Sequence, residues 1–263
     1  METCKICTEM PAPDLNRSIR AAVEECSGNL CDTQSSKLHN SPEVRAAIRN
    51  LENAIVAPYI AVTIAKKWNP GSTLTIGFVG DVDAVVKERI IEKAELWVPH
   101  IGLKLDFTSS GRAKIRIATW QGQGSWSYVG TDALLIDGED QPTMNFGWLE
   151  PDTDDDEYER VVLHEFGHAL GAIHEHQHPS AGIPWDKERV YSYYADTNGW
   201  DRDKVDYNIF RKYERDQLNA SEYDPDSIMH YAVPDALTVG DWQVGWNRHL
   251  SERDKAFMAE LYG

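Results

Sequence analysis

Five of the chain's nine histidines lie within the sixteen residues "HEFGHALGAIHEHQHP", 164 to 179. The apolar periodicity of "RVVLHEFGHAL" predicts a helix there, and four residues are one turn of it, so His164 and His168 leave the same face and can share one ion. Glu165, beside the first of them, can reach a water held by that ion without ligating it. Gly171 can adopt the left-handed conformation that ends a helix, and the reversal can bring His174 back as a third ligand. Three neutral imidazoles leave a fourth position open and the ion's double charge uncompensated, which lowers the pKa of a water bound there to about 7. Histidine pairs on helices are commonly surface residues, and H-E-x-x-H alone arises by accident in roughly two or three of a hundred chains of this composition. With Gly171 and His174 added, the accidental rate falls to about one in ten thousand, and the ligand set His164, His168 and His174 becomes the preferred reading. His176 and His178 read as loop residues outside it.

A second block, "DPDSIMHYAVP", holds Met229, 55 residues after His174. H-E-x-x-H-x-x-G-x-x-H followed by a methionine turn resembles the metzincin zinc endopeptidases. Glu175 directly after the third histidine, the turn "SIMHY" (227 to 231) and "SWSYVG" (125 to 130) resemble the astacin family within that clan. "LSERDKAFMAELYG" resembles the clan's closing helix, so the likeness runs from about residue 66 to the end. It implies one catalytic Zn²⁺ on His164, His168 and His174, Glu165 as general base and acid, and Met229 as an apolar floor that does not ligate. Tyr231 would be the switch tyrosine, a ligand at rest that swings away to hydrogen-bond the oxyanion. It also implies protein or peptide substrates bound as an extra strand along a sheet edge, for which "PTMNFGWL" is the candidate. The implied location is extracellular, although no apolar stretch at the amino terminus is long enough for a signal peptide. The chain departs from the family in lacking an arginine after the third histidine and in having no cysteine after Cys31. Its catalytic domain must therefore be held by core packing, which makes a reducing compartment tolerable too.

The elements that must position these residues follow from the pattern before and after them. "TLTIGFV" (Thr73 to Val79), "LKLDF" and "AKIRIATW" read as strands, and Val86, Ile90, Ala94 and Trp97 fall on one face of an intervening helix. "GSWSYVGTDALLIDGEDQPTMNFGWL" reads as loop and edge strand. The acidic run "DTDDDEYE" suits the positive end of the helix that carries His164, and with "DGED" it reads as solvated turn rather than calcium loop. With the resemblance, the expected fold is α+β: a metzincin-like catalytic domain over 66–263, with a twisted mixed sheet, packed helices, an active-site helix and a methionine turn. Residues 1–65 read as a separate segment with helices over "LNRSIRAAVEE" and "SPEVRAAIRNLENAI", helical or prosegment-like in role. "FVGD" (Phe78 to Asp81) matches the F-x-G-D of astacin prosegments, but its place at the end of a strand favours a strand-to-helix turn. Cys4, Cys7, Cys26 and Cys31 suit disulfides or free thiols better than a four-thiolate zinc knot, and a zinc-capping thiolate from Cys4 or Cys7 has no flanking signature.

Composition narrows the function classes. At 263 residues, 41% hydrophobic and 26% charged, the chain can bury a proper core. Its 26 basic against 43 acidic residues give a net charge of −17, which repels phosphate backbones and anionic lipid. The longest apolar run, "AIVAPYIAVTIA", is too short and too broken by Pro58 to span a bilayer. Nucleic-acid binding and membrane insertion are therefore not expected. The leading reading is a zinc-dependent metalloendopeptidase. The alternatives are a metzincin of another branch, matrixin-like, and a peptide-binding pseudo-peptidase. A structural zinc protein is disfavoured, because its site would be closed by a fourth ligand and Glu165 would have no task.

Overall fold

In β2 (Thr73–Phe78) the buried side chains Leu74 and Ile76 alternate with more exposed threonines, while all four residues of β4 (Ile115–Ala118) are buried. The difference follows from position, since a strand covered on both faces has no solvent side to mark with polar residues. The computed structural model describes residues 5, 7–26, 66–108, 112–213 and 222–263. The helix expected over "SPEVRAAIRNLENAI", together with Cys4 and Cys31, lies outside them.

Six strands form one mixed sheet in the order β1 (Cys7–Met10), β5 (Ser125–Tyr128), β6 (Met144–Asn145), β4, β2, β3 (Lys104–Asp106). Only β5 and β6 pair antiparallel; the remaining neighbours are parallel. This placement corrects the expected substrate edge. Met144 and Asn145 of "PTMNFGWL" are interior, paired to β4 on one side and β5 on the other. The outermost strand contributed by residues after 66 on that side is β5, and β1 lies along it in parallel, Cys7 opposite Ser125 and Met10 opposite Tyr128. A strand in the amino-terminal segment was not expected. The helix read over "LNRSIRAAVEE" is present as α1 (Leu15–Glu25), capped by Asp14. It is tied to the turn after β5 by Ser18, whose hydroxyl donates to the buried Asp132.

The crossover helix α2 (Ala84–Ala94) begins where the Asp83 carboxylate accepts from the Val85 and Val86 N–H groups, and it buries Val86, Ile90 and Ala94. Trp97, expected on the same helix, sits in the tighter turn Glu95–His100 that continues it. "FVGD" is the turn from β2 into this helix, with Gly80 at φ +78°. Helix α3 (Asp155–Ala169) opens with Asp155, Asp156 and Glu157 at its positive end, as the acidic run implied. Its next turns enter the main core, where Val161, Val162, Leu163 and Phe166 pack with Ile76, Ile90, Ile115, Ile117, Met144 and Phe146. A second apolar cluster, formed by α4 (Lys187–Asn198) and the segments after it, includes Val190, Tyr194, Trp200, Val205, Ile209, Leu237 and Tyr231.

The carboxyl end of α3 is pinned from outside. Trp68 Nε1 donates to Ala169 O (2.7 Å), and the Tyr262 hydroxyl, from α5 (Glu252–Tyr262), donates to Leu170 O (2.6 Å) while accepting from the Trp68 N–H (3.2 Å). These bonds satisfy helix-end carbonyls that no intrahelical donor can reach. Tyr262→Phe is therefore expected to destabilise the fold by about 1–3 kcal/mol, because it strands a buried carbonyl and a buried N–H. Urea unfolding should show a lower midpoint with an unchanged slope.

Candidate metal centre

Helix α3 delivers His164 and His168 one turn apart, 3% and 0% exposed. The helix stops as expected at Gly171, whose φ of +101° a side chain would resist, and the chain turns back so that His174, 1% exposed, meets the other two. One ligand nitrogen from each of His164, His168 and His174 lies within 4.8 Å of the others, and these three form the one such group of His, Cys, Asp or Glu among the described residues.

Hydrogen bonding decides which nitrogens face inward. His164 Nδ1 donates to Ile228 O (2.8 Å) and His168 Nδ1 to Ala172 O (2.9 Å), so in both neutral rings the bare lone pair is on Nε2. His174 Nδ1 lies 4.0 Å from a Glu9 oxygen, and its Nε2 stands 3.0 Å from His168 Nε2. His164 Nε2 is buried without a partner. Burial pulls all three pKa values down, that of His168 to about 4, and so keeps the rings in the ligating neutral form. Three buried imidazole nitrogens gathered within 4.8 Å of one another suit a tetrahedral zinc ion with one position left over.

Glu165 is fully buried and neither oxygen meets hydrogen-bond geometry. Burial pushes its carboxyl up to about 8, against the pull of the Cys7 thiol and the Arg160 guanidinium. Tyr231 is 4% exposed, with its ring centroid 4.3 Å from that of His174 and 6.0 Å from that of His164. Its hydroxyl donates to the Cys7 carbonyl. Met229 sets its sulfur against Gly167, where an added Cβ would press into it. The glycine inside H-E-F-G-H thus permits the methionine turn to approach the helix. His176 and His178 are buried but lie outside the ligand group. His176 Nε2 bonds Asn208 O (2.8 Å) and its ring stacks on Tyr231 at 4.3 Å and 22°, whereas His178 Nδ1 accepts from the Ser180 N–H (3.1 Å).

The sequence reading had no pattern by which to single out several residues that surround this centre. Cys7 of β1 is buried and free, and lines a cavity with Arg160, His164, Ile228, His230, Tyr231, Trp246 and Asn247. Arg160, one turn before His164, is held by Glu157 through two bonds of 2.8 and 2.7 Å and lies over the Trp246 ring. Glu9 accepts from the Tyr213 hydroxyl (3.1 Å) beside His174. The arginine that the family carries after its third histidine has no counterpart, and other bonds fix that segment here. The Glu175 N–H donates to Met229 O (3.0 Å), and its side chain accepts from the Asp224 N–H (2.8 Å).

Comparison with known proteins agrees with this geometry. Residues 61–262 match the family model of Astacin (Peptidase family M12A). A solved structure of myroilysin is similar at a TM-score of 0.73 and 45% identity, over 76% of this chain and 97% of that one. High choriolytic enzyme 1, a hatching enzyme zinc-protease from Oryzias latipes, is 17% identical with a TM-score of 0.52, over 75% and 94% of the two chains, a likeness of fold. Zinc metalloproteinase nas-27 of Caenorhabditis elegans is 25% identical over 173 residues, which are 64% of this chain and 34% of that protein, so the chain spans about a third of that relative's length. The matrixin-like alternative finds no support in these likenesses, and the mixed sheet with its packed helices is the α+β arrangement of astacin-type proteases. No helix among the described residues is long and apolar enough to cross a membrane. The chain belongs to the astacin family, peptidase family M12A, and with it to the zinc-dependent metalloendopeptidases that use one catalytic zinc.

Proposed function

We propose that the chain hydrolyses internal peptide bonds of proteins, with His164, His168 and His174 as the zinc ligands, Glu165 as general base and acid, and Tyr231 as oxyanion donor. The observation that carries the assignment is the convergence of three buried imidazole nitrogens within 4.8 Å of one another, with the buried Glu165 next to the first of them on the same helix. When bound, the ion supplies a Lewis acid that polarises the scissile carbonyl and acidifies the attacking water. Glu165 takes that water's proton and returns it to the leaving nitrogen. Tyr231, once released from the Cys7 carbonyl that it bonds here, donates its O–H to the developing oxyanion, stabilising charge that the ground state lacks. A peptide substrate lies along β5, whose outer backbone groups are paired with β1 here, and an extra strand is the binding mode such an edge offers. An extracellular location accords with the family.

Residues 1–65 act in this reading as an inhibitory prosegment. Three contacts of one strand support that role: β1 takes the β5 edge, the Cys7 carbonyl takes the Tyr231 hydroxyl, and the Cys7 side chain shares a cavity with His164. Each would exclude a substrate. The Cys7 thiol and the Glu9 carboxyl are the groups of this strand with the chemistry to cap a metal.

Two measurements test the proposal. Glu165→Gln should bind zinc like the parent while peptide hydrolysis falls by about 10²–10⁴, and Tyr231→Phe should lower kcat by a smaller factor with unchanged metal content. Retained turnover in Glu165→Gln would remove that residue from its role. For latency, cleavage near residue 65 should raise kcat/KM on an unstructured peptide, and the full chain carrying Cys7→Ala should show part of the gain. Equal activity of full and cleaved chains would dismiss the prosegment.

A further inference from the structure

The three ligands are not backed alike. His168 Nδ1 rests on a carbonyl of its own loop, and His174 Nδ1 faces the amino-terminal strand. His164 is connected to the carboxyl-terminal helix. Its Nδ1–H donates to Ile228 O (2.8 Å). The same peptide group, between Ile228 and Met229, donates its N–H to Ser227 Oγ (3.0 Å). Ser227 Oγ in turn donates to Asp254 Oδ1 (2.6 Å). Every hydrogen along this path points towards Asp254, so each bond polarises the next in the same sense.

We propose that Asp254, Ser227 and the Ile228–Met229 peptide form a relay that positions His164 and strengthens it as a metal ligand. The proposal rests on His164 being a ligand, and it assigns Asp254 and Ser227 as positioning residues acting through that ring. Carboxylates behind a ligating histidine orient the ring and raise its basicity, and loss of such a partner costs metal affinity. Here the carboxylate is one hydroxyl and one peptide further out, with the peptide able to transmit because its C=O and N–H are conjugated. Burial pushes the Asp254 carboxyl above its ordinary range, against the pull of the three donors it accepts from. It is 8% exposed, accepts from the Ile228 N–H (2.8 Å) and the Ser251 N–H (2.9 Å) besides Ser227, and pairs with no lysine or arginine among the described residues. It also stands in the first turn of α5, where the helix dipole favours an anion. Asn247 braces the far side, donating to Pro225 O and Ser227 O at 2.8 Å each.

The relay separates from mere bracing of the turn, because two variants cut it at different links. Ser227→Ala removes the hydroxyl but leaves Asp254 its bonds to the Ile228 and Ser251 N–H groups. Asp254→Asn keeps the shape but cannot accept from all three donors, since one of its terminal atoms becomes an NH₂. Ser227→Thr keeps the hydroxyl. Zinc affinity of the full chain is to be read by competition with a chromogenic chelator, alongside thermal melting of the zinc-free protein. The relay predicts zinc binding weakened about 10- to 100-fold in Ser227→Ala and in Asp254→Asn, and restored to within about threefold in Ser227→Thr. Zinc affinity unchanged in both cutting variants, with only the melting temperature lowered, would overturn it and leave these residues as props of the turn. If Ser227→Ala does not fold, Asp254→Asn decides alone. Failure of the parent protein to bind zinc would instead strike at the ligand assignment itself.

Discussion

A neutral imidazole has one bare nitrogen, and what the other nitrogen donates to decides which. The centre depends on this constraint: Ile228 O and Ala172 O take the Nδ1 protons of His164 and His168, and the lone pairs are thereby committed to the interior. The commitment opposes stability in the metal-free protein. His164 Nε2 is buried without a partner, and the Glu165 carboxyl is buried with the Cys7 thiol as its neighbour; an unmet group of this kind costs about 1–3 kcal/mol that the surrounding core must offset. Such groups are uncommon in a settled interior, and they are the mark of a site built for something other than the chain itself.

The core that carries this cost is divided, and the centre sits on the division. Ile228 and Met229 pack into the cluster beneath the sheet, and Tyr231 packs with the cluster around α4. Within four residues the methionine turn therefore joins both halves of the molecule. It accepts a hydrogen bond from the His164 ring, donates to Asp254 and accepts from the Glu175 N–H, and sets the tyrosine ring against that of His174. A small error in the packing of either half would show first as displacement of that hydroxyl.

How legible the sequence is depends on how local the determining interaction is. His164, His168, Gly171 and His174 could be read because a helical turn and one left-handed glycine are properties of eleven consecutive residues. The strands β2, β3 and β4 and the face of α2 were legible through periodicity, for the same reason. The edge assignment failed on "PTMNFGWL", because a two-residue strand buried between neighbours and one at an edge carry the same apolar signature. β1 escaped notice since "CTEM" is too short for alternation to register, and its partner lies more than a hundred residues away. Asp254 and Ser227 look like an ordinary cap and an ordinary turn serine. Their tertiary hydrogen bonds give them more than that, and no spacing encodes those bonds.

All three histidines come from one stretch of eleven residues, whereas the methionine, the tyrosine and the carboxyl-terminal helix arrive from far along the chain. Loop closure over eleven residues is cheap and fast compared with bringing distant segments together. The three histidines are thus gathered locally, whereas the bond that fixes the His164 tautomer waits for a turn more than fifty residues further on.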